Sequence, residues 1–208
     1  MAVDAAAPLW RVVGSDACGM DEVGRGALAG PLVAAAVILP PGFAHPLLRD
    51  SKLLSEVQRE RVEPVIRAAA LALQVVVIAV PLIDSRGVGW ANRIAFERLI
   101  KQVAAPAYLA DGNLRIRTTR RFQSVVGGDR VVPAISAASI VAKVYRDRLM
   151  RALDPGFPHY RWAENKGYGT PHHLDAISRH GVCRHHRRSF IHAEQAELFP
   201  TEPGTPTS

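Results

Sequence analysis

Cysteine is nearly missing from this chain of 208 residues, with only Cys18 and Cys183 present. Two cysteines build no disulfide framework, so the fold must rest on its own core, and a reducing cytoplasm is the expected setting. Long apolar runs are missing as well. The two longest, residues 32–39 and 71–80, fall far short of the ~20 residues that a membrane helix needs. No basic leader opens the chain, which instead meets Asp4, Asp16 and Asp21 early, so no secretory signal is expected. No repeat period appears, and only the Pro- and Thr-rich tail from Pro200 onward reads as disordered. Acid is the minority charge: 19 Asp and Glu stand against 26 Lys and Arg, a net +7. That balance favours a polyanionic partner, either nucleic acid or an anionic membrane surface.

What is present suits one domain of ordinary size, since a hydrophobic fraction of 48% supplies a self-sufficient core. Strands are predicted near residues 12–20, 32–39, 74–80, 107–110 and 122–126. Helices are predicted over 55–70, 90–103, 133–153 and 170–180. Ser55 and Gln58 have capping-box spacing, Pro64 interrupts the first helix, and Thr170, Pro171 and Gly181 bracket the last. The order gives an α/β domain with a mixed sheet, its first two strands antiparallel across a glycine-rich turn. Two basic clusters stand out, Arg115, Arg117, Arg120 and Arg121, and then Arg184 to Arg188 with two histidines. Each reads equally well as a phosphate contact or a solvated loop.

The densest chemical signal is GMDEVGRGALAGP, residues 19–31. Asp21 and Glu22 lie where an apolar strand meets a turn, a costly place for two acids unless positive charge offsets them. Asp111 and Asp129 also fall at element ends. If the four converge, repulsion is severe, about 4 kcal/mol for a pair ~4 Å apart at an effective dielectric near 20. Two divalent cations would cancel them, and a ligand set of hard oxygens selects Mg²⁺ or Mn²⁺. Taken alone, Asp111-Gly112 reads as readily as a turn. Adjacent strand residues point to opposite faces, so Asp21 and Glu22 share a site only where the strand frays or kinks.

Gly24-Arg25-Gly26 is no dinucleotide loop, because a strand follows it rather than a helix. It reads as a bare turn that a substrate can approach, with Arg25 free to reach phosphate or sugar. Ser136, Ser139 and Lys143 share one face of the 133–153 helix and suit a row of phosphate contacts. Asp147 continues that stripe and reads as a salt-bridge partner of Lys143. Asp50-Ser51-Lys52, before a helix, could hold a phosphate. Lys166-Gly167-Tyr168-Gly169 offers an aromatic ring in a flexible, basic loop. Cys183 and His186 have ligand-like spacing but no second pair, so a structural zinc site is not expected.

The blocks GMDEVGRGALAGPLVAAAVIL, DSKLLS, YLADGN, GGDRVVPAISAASIVAKVYRD, NKGYGTPHHL and HHRRSF occur in that order. Together they resemble ribonuclease HII over nearly the whole span from Cys18 to Phe190. The resemblance implies a ribonuclease H-like fold, a mixed five-stranded sheet flanked by helices, with a helical C-terminal part. On that reading residues 12–155 form the catalytic domain, 156–198 pack on it, and 199–208 form a disordered tail. It implies Mg²⁺- or Mn²⁺-dependent hydrolysis of the RNA strand of RNA–DNA hybrids and at ribonucleotides embedded in duplex DNA, by a monomer. The family's four metal-binding acids match Asp21, Glu22, Asp111 and Asp129. Its sensor of the 2′-hydroxyl matches Gly24, Arg25 and Gly26, its junction tyrosine Tyr168, and its phosphate contacts Lys52, Ser139 and Lys143. Leu53 and Gly127 stand where the family often has lysine, which implies weaker binding. The rivals are another nuclease of this fold, such as a junction resolvase, and a non-catalytic nucleic-acid-binding protein.

Overall fold

The computed structural model describes residues 16–48 and 54–191. Five strands form one sheet in the order β3-β2-β1-β4-β5. They are β1 (Cys18–Val23), β2 (Leu32–Ile38), β3 (Ala72–Ile78), β4 (Tyr108–Asp111) and β5 (Phe122–Val125). β1 runs antiparallel to β2, as the glycine-rich turn between them requires, and β2 antiparallel to β3. β4 is parallel to both β1 and β5. The mixed five-stranded sheet expected from the sequence is therefore present.

Every residue of β2 is buried, so this strand needs apolar side chains on both faces, and LVAAAVI supplies them. The small alanines let helices approach closely. On one face Met20, Ala34 and Ala36 pack with Phe96 and Leu99 of the helix Val88–Gln102. On the other, Val33, Ala35 and Val37 pack with Ile140 and Val141 of the long helix Pro133–Leu153 and with Val62 and Ile66 of Glu56–Ala69. In chain order the helices are α1 (Glu56–Ala69), α2 (Val80–Arg86), α3 (Val88–Gln102), α4 (Gly128–Val131), α5 (Pro133–Leu153), α6 (Trp162–Asn165) and α7 (Pro171–His180). Gly19 sets the distance between β1 and α5. A Cβ there would lie 2.1 Å from the Ala134 carbonyl carbon, so only glycine lets the helix come this near.

Local signals explain most boundaries. Ser55 and Gln58 form both halves of the capping box at α1, and Pro64 is carried inside that helix. Thr170 caps α7 through the His173 amide, and Gly181 follows its last turn with φ 73°. Three short helices, α2, α4 and α6, escape the sequence reading. The apolar run predicted as strand through Val80 stops at Ile78, because Pro81 favours a first helical turn and α2 begins there. α4 turns the chain between β5 and α5 and carries Asp129 in its first turn. β4 and β5 are joined without a helix. Residues 112–121 cross over in extended form, with Leu114 and Ile116 packed on the α3-side core and Arg115, Arg117, Arg120 and Arg121 exposed. Beyond α5 a third apolar cluster gathers Tyr160, Trp162, Ala176 and Ile177 against Met150 and Ala29. It ties residues after 156 to the turn between β1 and β2.

Candidate active site

β1 does not end before its acids. Asp21 and Glu22 are ladder residues, paired with Ala35 and Ala34 of β2. On the β4 side pairing stops at Met20 opposite Ala110, and Asp111 follows as the last residue of β4. The strand neither frays nor kinks on its β2 side, contrary to the expectation from spacing. Instead the two acids straddle the sheet where β4 runs out. Asp21 shares the α5 face with Val23 and accepts a hydrogen bond from Ser139. Glu22 belongs to the alternate face and pairs with Arg25 at 3.3 Å.

Electrostatics tie three of the acids together. The carboxyl of buried Asp21 is pushed up to about 8, first by loss of water, then by the charge of Glu22, and further by Asp111. Glu22 is raised as well, chiefly by burial and in part by Asp111, with Arg25 acting against both. Asp111 accepts the Gly128 amide at 2.7 Å. That bond brings α4, and with it Asp129, to the end of β4. Asp129 itself is fully buried. Among the described residues no three acid, histidine or cysteine side chains stand close enough together, as placed, to hold a metal ion. The donor chemistry nevertheless fits hard divalent cations: all four groups are carboxylates, and added positive charge would offset the burial and repulsion that raise Asp21.

The turn after β1 is asymmetric in what its glycines do. Gly24 has φ 89°, and a Cβ there would lie 2.3 Å from Arg146 Nε, so glycine is required by the protein itself. Gly26 is exposed, lacks a positive φ, and a Cβ on it would meet nothing within 4 Å. Its bareness serves no internal contact. Arg25 is exposed and meets the mostly buried Glu22 at 3.3 Å through one guanidinium nitrogen, which leaves its other donors open to another anion.

The stripe on α5, expected from spacing to be a row of phosphate contacts, is unevenly exposed. Ser136 is fully buried, and Ser139 is engaged with Asp21. Lys143 remains, one third exposed and 3.6 Å from Asp147. Asp147 also faces Arg59, so it is a salt-bridge residue as read from its position. Ile135, Val141 and Met150 pack inward as expected. Lys52 and Leu53 lie outside the described residues. Gly127 precedes α4 with φ 66°, a conformation that would cost a lysine about 1 kcal/mol or more.

The Tyr168 loop is no loose basic segment. Lys166 is buried against Glu56 at 3.2 Å, and the Gly167 carbonyl accepts the amides of Leu28 and Ala29 at 2.8 and 3.1 Å. A Cβ on Gly167 would strike the Ala29 carbonyl oxygen at 2.3 Å. Backbone pairing therefore holds the Tyr168 loop against residues 28 and 29, just after the Gly24–Gly26 turn. Cys183 and His186 are joined, but by a Cys183 amide donating to His186 Nδ1 at 3.0 Å. His186 Nε2 and Trp162 Nε1 both approach His173 Nε2, at 3.2 and 3.1 Å, and His173 Nδ1 reaches the Tyr168 carbonyl at 2.9 Å. With His186 protonated on Nε2 and His173 on Nδ1, the Trp162 and His186 donors share the single lone pair of His173 Nε2. Sequence reasoning missed His173 and Arg146 in this neighbourhood and met Arg187 only as one of a basic cluster.

Comparison with known proteins covers the same span. The family model described as Ribonuclease HII matches residues 18–193. A Ribonuclease HII from Burkholderia mallei (strain SAVP1) is 47% identical over 185 residues, 88% of this chain and 86% of its own. Among solved structures, ribonuclease H2 from Pyrococcus horikoshii OT3 superposes with a TM-score of 0.72 at 21% identity, over 88% of this chain and 96% of its own. Bst-RNase HIII in complex with Mn²⁺ gives 0.63 at 20% identity, over 91% of this chain and 66% of its own. At those identities the two structures speak for the fold, and the sequence matches for the family.

Proposed function

The chain belongs to the ribonuclease HII family and is a metal-dependent ribonuclease; from that premise we propose that it cuts RNA–DNA hybrids and the 5′ side of ribonucleotides embedded in duplex DNA. The observation that carries this reading is the coupling of Asp21, Glu22 and Asp111 at the open end of β4, one step from a turn whose Gly26 has no neighbour of its own.

In the proposed hydrolysis a water oxygen bonds to phosphorus in line with the leaving group. The bond from phosphorus to the 3′-oxygen breaks, and that oxygen ends protonated. The products are a 3′-hydroxyl and a 5′-phosphate. Asp21, Glu22, Asp111 and Asp129 would hold two Mg²⁺ or Mn²⁺ ions, which supply positive charge at the phosphoryl group and make bound water more acidic. Ser139 keeps Asp21 oriented toward the strand end. Gly26 leaves room for a sugar to approach the backbone, and the 2′-hydroxyl met there separates RNA from DNA. Arg25 exchanges Glu22 for a phosphate oxygen, Lys143 and Lys52 add backbone contacts, and Tyr168 stacks beside the junction. Leu53 and Gly127, lacking the family's lysines, weaken binding rather than chemistry, each lost contact lowering the salt slope by ~0.9. The setting proposed is a cytoplasmic monomer acting in DNA repair. No described helix is long and apolar enough to cross a membrane.

The test is cleavage of a duplex carrying one ribonucleotide against an all-DNA control, in Mg²⁺ and in Mn²⁺. Cutting confined to the ribonucleotide strand supports the reading. Equal cutting of both duplexes would point to a nuclease blind to the 2′-hydroxyl, and binding without cutting to a non-catalytic binder.

A further inference from the structure

Among the described residues two arginines are buried with no acid in ion-pair contact, Asp147 and Asp84 acting on Arg146 and Arg187 only from farther off. Arg146, on α5, donates from Nε to the Pro31 carbonyl at 2.9 Å, from Nη1 to Lys166 at 2.8 Å and from Nη2 to Ala29 at 3.0 Å. Arg187 donates from Nε and Nη2 to the Gly30 carbonyl at 2.9 and 2.8 Å, and from Nη1 to Arg25 at 3.0 Å. Both side chains are fully buried, and among the described residues neither makes an ion pair. Burying a guanidinium on neutral carbonyls alone is expensive, so a plain packing role would be better served by an apolar side chain. What the fork supplies instead is direction, since its donors lie in one rigid plane.

Arg146 reaches two elements together, and Arg187 holds the first of them. One is the segment from Arg25 to Pro31, which follows Gly24 and carries Gly26. The other is the loop that presents Tyr168, whose ring lies 5.2 Å from the Arg146 guanidinium carbon. The backbone completes the assembly. Leu28 and Ala29 amides donate to Gly167, the Gly30 amide to His185, and the Arg187 amide to Leu28. The glycines fit the same plan, because a Cβ on Gly24 or Gly30 would press on Arg146 or on Met150 beside it.

We infer that Arg146 and Arg187 are positioning residues, a two-guanidinium clamp that fixes the spacing between the Gly24–Gly26 turn and Tyr168 and so sets recognition of the ribonucleotide junction. This rests on the ribonuclease reading for its consequence, though not for its geometry. Arg187 titrates lower than a free arginine, at about 10 owing to burial, and so keeps its charge at neutral pH.

Arg146→Lys and Arg187→Lys keep a positive charge and lose the planar fork. Each should cut a single-ribonucleotide duplex with kcat lowered at least tenfold while Kd for that duplex moves less than twofold. A 2-aminopurine next to the ribonucleotide should also lose the quenching that Tyr168 gives in the parent complex. Gly167→Ala leaves both arginines in place but pushes the same two loops apart, and it should reproduce the effect if a lysine variant does not fold. Hydrogen exchange, measured without substrate, should show the Leu28, Ala29 and Gly30 amides losing protection in the variants. Parental kcat and quenching in folded lysine variants would overturn the clamp, as would weakened Kd with kcat kept, since the arginines would then supply only charge. If the parent cuts no ribonucleotide duplex, the ribonuclease reading fails, and unchanged exchange protection in the variants is the separate result that sinks the clamp.

Discussion

Adding one methyl group at Gly26 should move stability and activity in opposite directions. Gly26 has no positive φ, and nothing lies within 4 Å of a Cβ built there. Alanine at such a position stabilises by about 0.4–1 kcal/mol, because the unfolded chain loses freedom and the folded one loses nothing. For a chain of this size that raises Tm by roughly 1–4 °C. Cleavage should fall all the same, because the methyl group occupies the space the sugar needs, and a displacement of ~1 Å at a reacting centre costs about a hundredfold. Gly24→Ala is the contrasting perturbation. It places alanine at φ 89° with Arg146 Nε 2.3 Å from its Cβ, so about 1–2 kcal/mol of backbone cost is joined by displacement of a buried guanidinium. The pair is read by thermal unfolding and by initial rates on a single-ribonucleotide duplex. Gly26→Ala with parental cleavage would show that no substrate enters the turn. A clear loss of Tm in Gly26→Ala would show that the turn is not open.

Asp21→Asn should abolish cleavage yet stabilise the metal-free protein in EDTA. A carboxyl raised from 3.8 to about 8 gives stability that is full below pH 4 and lost as pH rises through 8; the whole offset approaches about 6 kcal/mol as an upper bound. Unfolding in EDTA at pH 5 and pH 8 should show that slope in the parent and not in the variant, and a lower Tm for the variant at pH 8 would refute it. His186 is shifted the other way, to about 3 from 6.5, by burial and by His173. Its contribution is therefore present above pH 6.5 and lost as pH falls toward 3. Denaturant titrations from pH 7 to pH 4 should show falling stability, flattened in His186→Gln. Arg25→Ala should lower the salt slope of duplex binding by ~0.9 while leaving Tm within about 1 °C, as expected for an exposed side chain; an unchanged slope would remove it from the phosphate path.

What was legible in the sequence was whatever leaves a local chemical trace. β2 announces itself as an apolar run, α1 by the Ser55–Gln58 box, and α5 by Pro133 followed by a helical stripe to Leu153. The acids were visible because charge at the end of apolar strands is costly. Their arrangement was not. Spacing assigned Asp21 and Glu22 to a frayed strand, whereas the ladder with β2 continues and only the β4 side is open. Which side a strand is left unpaired on depends on a partner far along the chain, and no residue near 21 encodes it. Similarly, Ser136 and Ser139 share a helical face by periodicity, but periodicity is silent on whether that face meets solvent or β1.

The clamp marks a harder limit, and the reason is chemical. Arg146 and Arg187 are bound by carbonyls up to 162 positions away in the chain, and every residue has a carbonyl. A salt bridge leaves an acid to be noticed at the other end; a guanidinium on backbone oxygen leaves nothing. Arg187 was legible only as one member of a basic cluster, with surface and phosphate as the evident readings. Within that cluster Arg187 and His186 are buried, while Arg184 and Arg188 are exposed. Charge that looks like one patch is thus split between solvent and interior. The edge that carries the acids and the proposed recognition loops also rest on different support. The acids depend on where β4 stops and on the approach of α5 at Gly19. The turn and Tyr168 depend on α5's far half and on residues 183–187. Changes at Gly19 should therefore damage cleavage of every substrate together, whereas changes at Arg146, Gly167 or Arg187 should reach the chemistry only through how the junction is held.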